Sequence, residues 1–414
     1  MPAEYLTTLV VAVFVAVYAG MALGRWPGLR IDRTGIALLG AILLYVAGAV
    51  TGEDARAAID APTLIILFGL MVLSAQFAAC GFYAWCSARI ARTPAGPGRL
   101  LALTVLVGGV LSAVLANDVV VFAMTPMLCT GLLRRGLDPR PFLIALASAA
   151  NAGSAATIIG NPQNILIGQV GRLEFWPFLA ACGPPAVVAL VLSHLVVWQA
   201  WRGRFDIARD KSSHAAVPPP ALDRAGLAKA LVFAAILLLL FATPLPHVEG
   251  VLMVAGGLLV SRQLATRRIL ALVDWHLLVL FGGLFVVTHA LGTTGLPGAM
   301  VGWLAEAGLP LTSLSVLGPL TVLGSNTIGN VPLVVLLLSL LPHPTEELLY
   351  GLAMISTLAG NLLIVGSLAN IITVERAKDV GVTLGFMEHA RCGVPITVLS
   401  LIVVLAWLAA RSTM

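Results

Sequence analysis

The sequence predicts an all-α polytopic membrane protein of two inverted repeats, with about 10 transmembrane helices, two re-entrant hairpins and two broken helices. Three observations carry that expectation. Of the 414 residues, 59% are apolar and 10% charged, and the mean hydropathy is +1.00, whereas a water-soluble domain carries about 25% charged residues. The apolar runs are interrupted by one long polar stretch, 202–224, which divides the chain into 1–201 and 225–414. The basic residues, finally, fall on one side of the membrane when the chain is threaded through it.

The same composition excludes other classes. A net charge of +5 with pI near 9.2 suggests nucleic acid, but the basic residues are single Arg in short loops and form no patch, so no nucleic-acid partner is expected. Five cysteines, Cys80, Cys86, Cys129, Cys182 and Cys392, stand alone in apolar surroundings without metal-ligand spacing, and read as core packing. The first run has neither a basic leader nor an A-x-A site, and reads as a retained span.

Twelve apolar segments follow in order: 5–24, 35–50, 62–88, 100–133, 141–168 and 174–201, then 226–245, 248–261, 270–294, 311–342, 347–372 and 393–410. Segments 100–133 and 311–342 are too long for one crossing and carry a polar break in the middle, so each is expected to be a re-entrant hairpin. With ten crossings and the N-terminus outside, 21 of the 24 basic residues lie inside, and Arg56, Arg172 and Arg411 outside. Reading either hairpin as a span would spoil that split. The same path inverts the second half relative to the first, with 202–224 as a cytoplasmic linker.

The repeat is visible in the residues. NAGSAATIIGNPQNILIGQ after the first hairpin and STLAGNLLIVGSLANIITVE after the second align Gly160, Asn161, Asn164 and Ile165 with Gly366, Ser367, Asn370 and Ile371. Gly and Pro162 break the helix at mid-membrane, and Asn161 or Ser367 caps the half-helix that restarts. Unwound backbone survives at that depth only against protein or a wet cavity. Its free N–H groups suit an anion and its free carbonyls a cation. The tips repeat the logic with Asn117 and Asp118, then Thr125 and Pro126, in the first, and Ser325, Asn326, Thr327, Gly329, Asn330 and Pro332 in the second. A lone Gly-x-Pro is more often a kink, and an Asn-Asp pair is equally a helix cap. Four such breaks in matching order point instead to a secondary transporter.

That order, with ANDVVVFAMTP, GNPQNILIG, SNTIGNVP and GSLANIITVERAK, resembles the ion transporter superfamily, which holds the divalent-anion/sodium symporters, the citrate permeases and the arsenite efflux permeases. The resemblance spans nearly the whole chain, and the tips look closer to the arsenite-permease branch and its anion-permease relatives. Dicarboxylate symporters have Ser-Asn-Thr at both tips. Here Ser325-Asn326-Thr327 matches in the second and Leu115-Ala116-Asn117 departs in the first, which argues against a carboxylate substrate and the standard sodium sites. The resemblance implies an elevator mechanism, no enzymatic chemistry, and a homodimer in the bacterial inner membrane.

The expected site lies between the tips and the breaks. Asn117, Gly160, Asn161, Asn164, Ser325, Asn326, Thr327, Asn330, Gly366, Ser367 and Asn370 would bind a small anion through side chains and backbone N–H groups. Asp118, an acid deep in an apolar run where a charge costs roughly 2.5 kcal/mol or more, would serve the coupling ion with Asn117, Ser154, Thr157 and Asn361. Sodium or a proton fits that role, with Na⁺ held at the tips and breaks. No other cofactor is expected. Arg and Lys are absent from the expected mid-membrane positions, so no fixed cation faces the substrate. The rivals are a sodium/proton antiporter, an arsenite efflux permease and, remotely, a protease using His194 or His289.

Overall fold

The computed structural model describes residues 3–24, 26, 28–206, 221–241, 243, 245–261, 264–341 and 343–412. Helices form its regular structure, with isolated bridges such as Leu137–Asp206. The first ten are α1 (Ala3–Leu23), α2 (Arg33–Val46), α3 (Gly52–Ala58), α4 (Ala61–Ala79), α5 (Phe82–Arg92), α6 (Pro97–Val114), α7 (Asn117–Arg134), α8 (Pro139–Ala155), α9 (Pro162–Gly171) and α10 (Phe175–Trp201). The second ten are α11 (Arg224–Phe241), α12 (His247–Leu259), α13 (Thr266–Leu270), α14 (Trp275–Thr293), α15 (Leu296–Glu306), α16 (Leu314–Thr327), α17 (Asn330–Leu340), α18 (Glu346–Ala359), α19 (Leu368–Lys378) and α20 (Phe386–Ser412). Most of the expected 202–224 linker lies outside the described residues.

Each early helix has a counterpart ten places later, and the packing follows the same correspondence. Helix α2 packs on α14 and α12 on α4; α7 packs on α19 and α17 on α9; α8 and α18 meet each other. Among the described residues, seven helices, α1, α4, α6, α10, α11, α14 and α20, are long and apolar enough to cross a membrane. Helices α2 and α12, on the expected crossings 35–50 and 248–261, have 14 and 13 residues, which at 1.5 Å per residue reach only ~20 Å of a core ~30 Å thick. Both lean on long neighbours. Large apolar side chains such as Leu39, Val187, Leu239, Ile402 and Leu405 point outward, where lipid rather than water suits them.

The broken helices form the centre. Every residue of α8 except Arg140 is buried, and α18 is buried from Leu348 to Ala359. Around them lie the helix pairs α6–α7 and α16–α17, on the segments expected to be re-entrant hairpins, whose chain reverses at Leu115–Ala116 and at Ile328–Gly329; α6 is itself long enough to cross a membrane. Gly329 has φ +94°, a conformation that only glycine adopts without strain. The five cysteines are free and buried.

Some short helices depart from the expected segments. Helix α5 carries the chain four residues beyond the expected end at 88, because its exposed edge bears Arg89 and Arg92 while Tyr83, Cys86, Ser87 and Ile90 face inward. Helix α15 falls between the expected segments 270–294 and 311–342. Proline in the first turn removes no internal hydrogen bond, so the helix forms. Helix α19 likewise runs to Lys378, past the expected end at 372.

Candidate functional site

At the first break α8 ends at Ala155 and α9 restarts at Pro162. Asn161 is extended and caps the restart, its side chain accepting from the Asn164 N–H at 2.9 Å. Asn164 then turns back. Its Nδ2 donates to the carbonyls of Ser154 and Thr157, at 3.2 and 3.0 Å, and the Thr157 carbonyl also accepts from the Gly160 N–H at 3.4 Å. A Cβ on Gly160 would collide with the Ser154 carbonyl, so the backbone closes on itself only with glycine there.

The second break repeats the pair of bonds from an Asn amide to two backbone carbonyls, under a different cap. Helix α18 ends at Ala359, a short 3-10 turn spans Ile364–Gly366, and α19 restarts at Leu368 under a Ser367 cap that accepts from the Ala369 N–H at 3.2 Å. Asn370 Nδ2 donates to the Gly360 and Leu363 carbonyls at 2.7 and 3.0 Å. One sequence offset separates Ser154 from Gly360, Thr157 from Leu363, Asn161 from Ser367 and Asn164 from Asn370.

The breaks are also bonded to each other. Asn161 Nδ2 donates to Ser154 Oγ and to Thr357 Oγ1, at 3.0 and 3.2 Å, and Gln163 Nε2 reaches the same threonine at 3.2 Å. In return Ser367 Oγ donates to Asn151 Oδ1 at 2.9 Å, and Asn151 Nδ2 donates to Asn361 Oδ1 at 2.8 Å. His389, buried on α20, has Nε2 3.1 Å from the Asn361 carbonyl. These polar groups satisfy one another, as a dry interior requires.

Tips and breaks meet at a cavity of about 740 Å³. The first hairpin presents Asn117 and Asp118 to it, and the second presents Asn326, Thr327, Gly329 and Asn330. The first break contributes Pro162 and Gln163, and the second Gly366 and Ser367. The Oδ1 atoms of Asn117 and Asn326 are buried with no hydrogen-bond partner, so each tip offers an unused acceptor. Asn326 Nδ2 is spent on the Val322 and Ala359 carbonyls, at 3.0 and 2.9 Å.

The expected residues therefore divide. Asn117, Asp118, Asn326, Thr327, Asn330, Gly366 and Ser367 line the cavity. Gly160, Asn161, Asn164, Ser325, Asn370, Ser154, Thr157 and Asn361 do not, and stand behind its wall in the hydrogen bonds that shape the breaks. Ser325 Oγ, for example, donates to the Ser356 carbonyl at 3.4 Å. Asn161 and Asp118 share a smaller cavity of about 40 Å³ with Asp274.

The expectation that no fixed cation faces the site is corrected. Arg33 lines the large cavity from the start of α2, and it is the one Arg or Lys among the described lining residues. Its Nε donates to the Met21 carbonyl at 3.1 Å, and one terminal nitrogen lies toward Gly329 at the second tip. Asp32, Asp274, His276 and Glu375 join the lining, as does Gln163. Asp32 and Asp274 accept from backbone N–H groups at the starts of α2 and α14. All of these lie at helix ends, and the charge count treated Arg33 as a loop marker. The Pro162-Gln163 pair beside the Asn161 cap was the available signal for Gln163.

Comparison with known proteins agrees with this architecture. A family model described as citrate transporter (CitMHS) matches residues 18–347. The chain is 33% identical over 332 residues to the inner membrane protein YbiR of Escherichia coli (strain K12), covering 78% of this chain and 82% of that one. It is 30% identical over 441 residues to the silicon efflux transporter LSI3 of Oryza sativa subsp. japonica, covering 90% and 91%. Among solved structures, the YdaH transporter of Alcanivorax borkumensis superposes with a TM-score of 0.58 at 15% identity, over 98% of each chain, and so shares the fold. The chain is a multi-pass membrane transporter, not an enzyme, and belongs to the CitMHS citrate-transporter family within the ion transporter superfamily.

Proposed function

We propose that the protein is a secondary active transporter that moves a small anion, a carboxylate or an inorganic oxyanion, across the bacterial inner membrane in exchange for the energy of a Na⁺ or H⁺ gradient. The observation that carries this reading is the meeting of both hairpin tips and both helix breaks at one cavity that also holds Arg33. The half-helix restarts at Pro162 and Leu368 turn N–H groups toward an anion, and Arg33 supplies a fixed counter-charge. Asp118 lies on the first tip, where a carboxylate close to an anion is unfavourable unless a cation or proton neutralises it. That makes Asp118 the coupling group.

The two sets of ten helices act as inverted repeats in an elevator mechanism. Hairpins and broken helices form the moving unit, and α2 with α14 forms the stationary wall of the cavity. The protein works as a homodimer. With the N-terminus outside, the α1–α2 turn, the start of α14 and Glu375 all lie on the cytoplasmic side, so the cavity opens inward. Uptake of labelled citrate, phosphate and arsenite into proteoliposomes under separate Na⁺ and pH gradients tests the reading. Exchange of Na⁺ for H⁺ with no anion moved would replace it with an antiporter.

A second reading has one observation in its favour. Asp32, Asp118, Asp274 and Glu375 outnumber Arg33 around the cavity, which suits an uncharged oxyacid carried outward. Transport that follows the neutral fraction of such an acid across pH would select it.

A further inference from the structure

Away from the transport cavity, a cavity of about 350 Å³ opens where the C-terminal ends of α5 and α7 meet. Arg92, Arg134 and Arg135 line it together with Thr93, Met127 and Thr130, and no Asp or Glu does. Arg135 is fixed in the wall. Its Nη1 donates to the carbonyls of Ala91 and Thr93 at 3.0 and 2.7 Å, and its Nη2 to that of Ala95 at 2.8 Å. This ties off the end of α5. Arg92 is exposed at the rim.

Arginines at helix C-termini often do no more than offset the helix dipole. That role needs no void. Here three arginines line a concavity large enough for a small ligand, the Arg135 guanidinium held by backbone carbonyls, with Met127, Ala88 and Ala91 giving it an apolar side. Helix α5 has the make-up of an interfacial helix: Phe82 and Trp85 stack with centroids 6.2 Å apart, Trp85 is exposed, and Arg89 and Arg92 follow. Its charge and that of the α7 end place this edge at the cytoplasmic headgroup level, where anionic lipid is concentrated. Guanidinium forks match phosphate oxygens in geometry and charge.

We propose that this α5–α7 cavity binds a phosphate group, presented by an anionic phospholipid headgroup or as free phosphate. Occupancy would tie α5 to the base of the first hairpin.

The test uses the full chain in phosphatidylcholine nanodiscs, with thermal unfolding read against added short-chain phosphatidylglycerol, short-chain phosphatidylcholine or inorganic phosphate. Phosphatidylglycerol raises the midpoint, phosphatidylcholine does not, and the double substitution Arg92→Gln with Arg134→Gln weakens the effect roughly tenfold or more. Arg99→Gln, on the same side but outside the cavity, leaves it intact. A shift with inorganic phosphate as well assigns the site to phosphate from either source, and a shift with lipid alone assigns it to the headgroup. No shift with either, or a shift that survives the double substitution in a protein whose unliganded midpoint is unchanged, overturns the proposal. Should the double variant unfold, Arg92→Gln alone carries the same comparison.

Discussion

Asn370 holds at the second break the two carbonyl positions that Asn164 holds at the first. Asn164 is fully buried, Asn370 nearly so, and neither lines the cavity. Each side chain donates to one carbonyl, Ser154 or Gly360, and to a second, Thr157 or Leu363, that also accepts from a backbone N–H; leaving the first unpaired costs about 1–3 kcal/mol. Asn164→Ala and Asn370→Ala are therefore expected to lower the thermal midpoint and transport together, by similar amounts. Equal stability with wild-type uptake in both variants would mean that the breaks do not depend on them.

Arg33→Gln removes the guanidinium from the large cavity. Charged hydrogen bonds contribute about 1.5–3 kcal/mol, so the apparent KM for the anion should rise roughly tenfold or more with little change in maximal rate. Arg33→Lys should recover part of the loss. An unchanged KM in a transport assay would remove Arg33 from substrate binding.

Replacing Asp118 by Asn keeps its shape and deletes its charge. Accumulation driven by the ion gradient should be lost while substrate exchange across the liposome membrane persists. Full accumulation by Asp118→Asn would assign coupling to another group, with Asp274 the first candidate because it shares the 40 Å³ cavity.

Gly329→Ala forces a side chain into φ +94° at the second tip, a strain of order 1–3 kcal/mol. Transport should fall sharply. Gly298→Ala on α15, where a Cβ meets open space, is the matched control. Identical behaviour of the two variants in uptake and unfolding would show that the tip tolerates other backbone geometry.

Much of this molecule can be read from its sequence because its breaks combine a glycine and a capping residue in the same order in both halves, with Pro162 added in the first, although each alone has other uses at membrane depth. Gly160, Pro162 and the Asn161 cap mark the first restart directly, and the Gly366-Ser367 pair marks the second. The roles of Asn164 and Asn370 were not legible, because spacing alone does not say whether an amide faces a cavity or folds back on its own helix. Arg33 was hidden for another reason. A basic residue at a helix start looks the same in sequence whether it faces water or a cavity reaching up from that side. The end of α5 escaped because its outer edge is basic while its inner edge is apolar, and α15 because its 11 residues are too few to count as a crossing.

The exchange of hydrogen bonds between the breaks makes each half of the chain an incomplete fragment. Thr357, from the second half, receives the Asn161 and Gln163 amides of the first, while Asn151, from the first half, receives the Ser367 hydroxyl of the second. Severed within 207–220, residues 1–206 and 221–414 should each lack a properly closed break when made alone and regain it when made together. The two fragments are complementary parts of a single lock, so a change at one break has to be tolerated by the fragment that closes it.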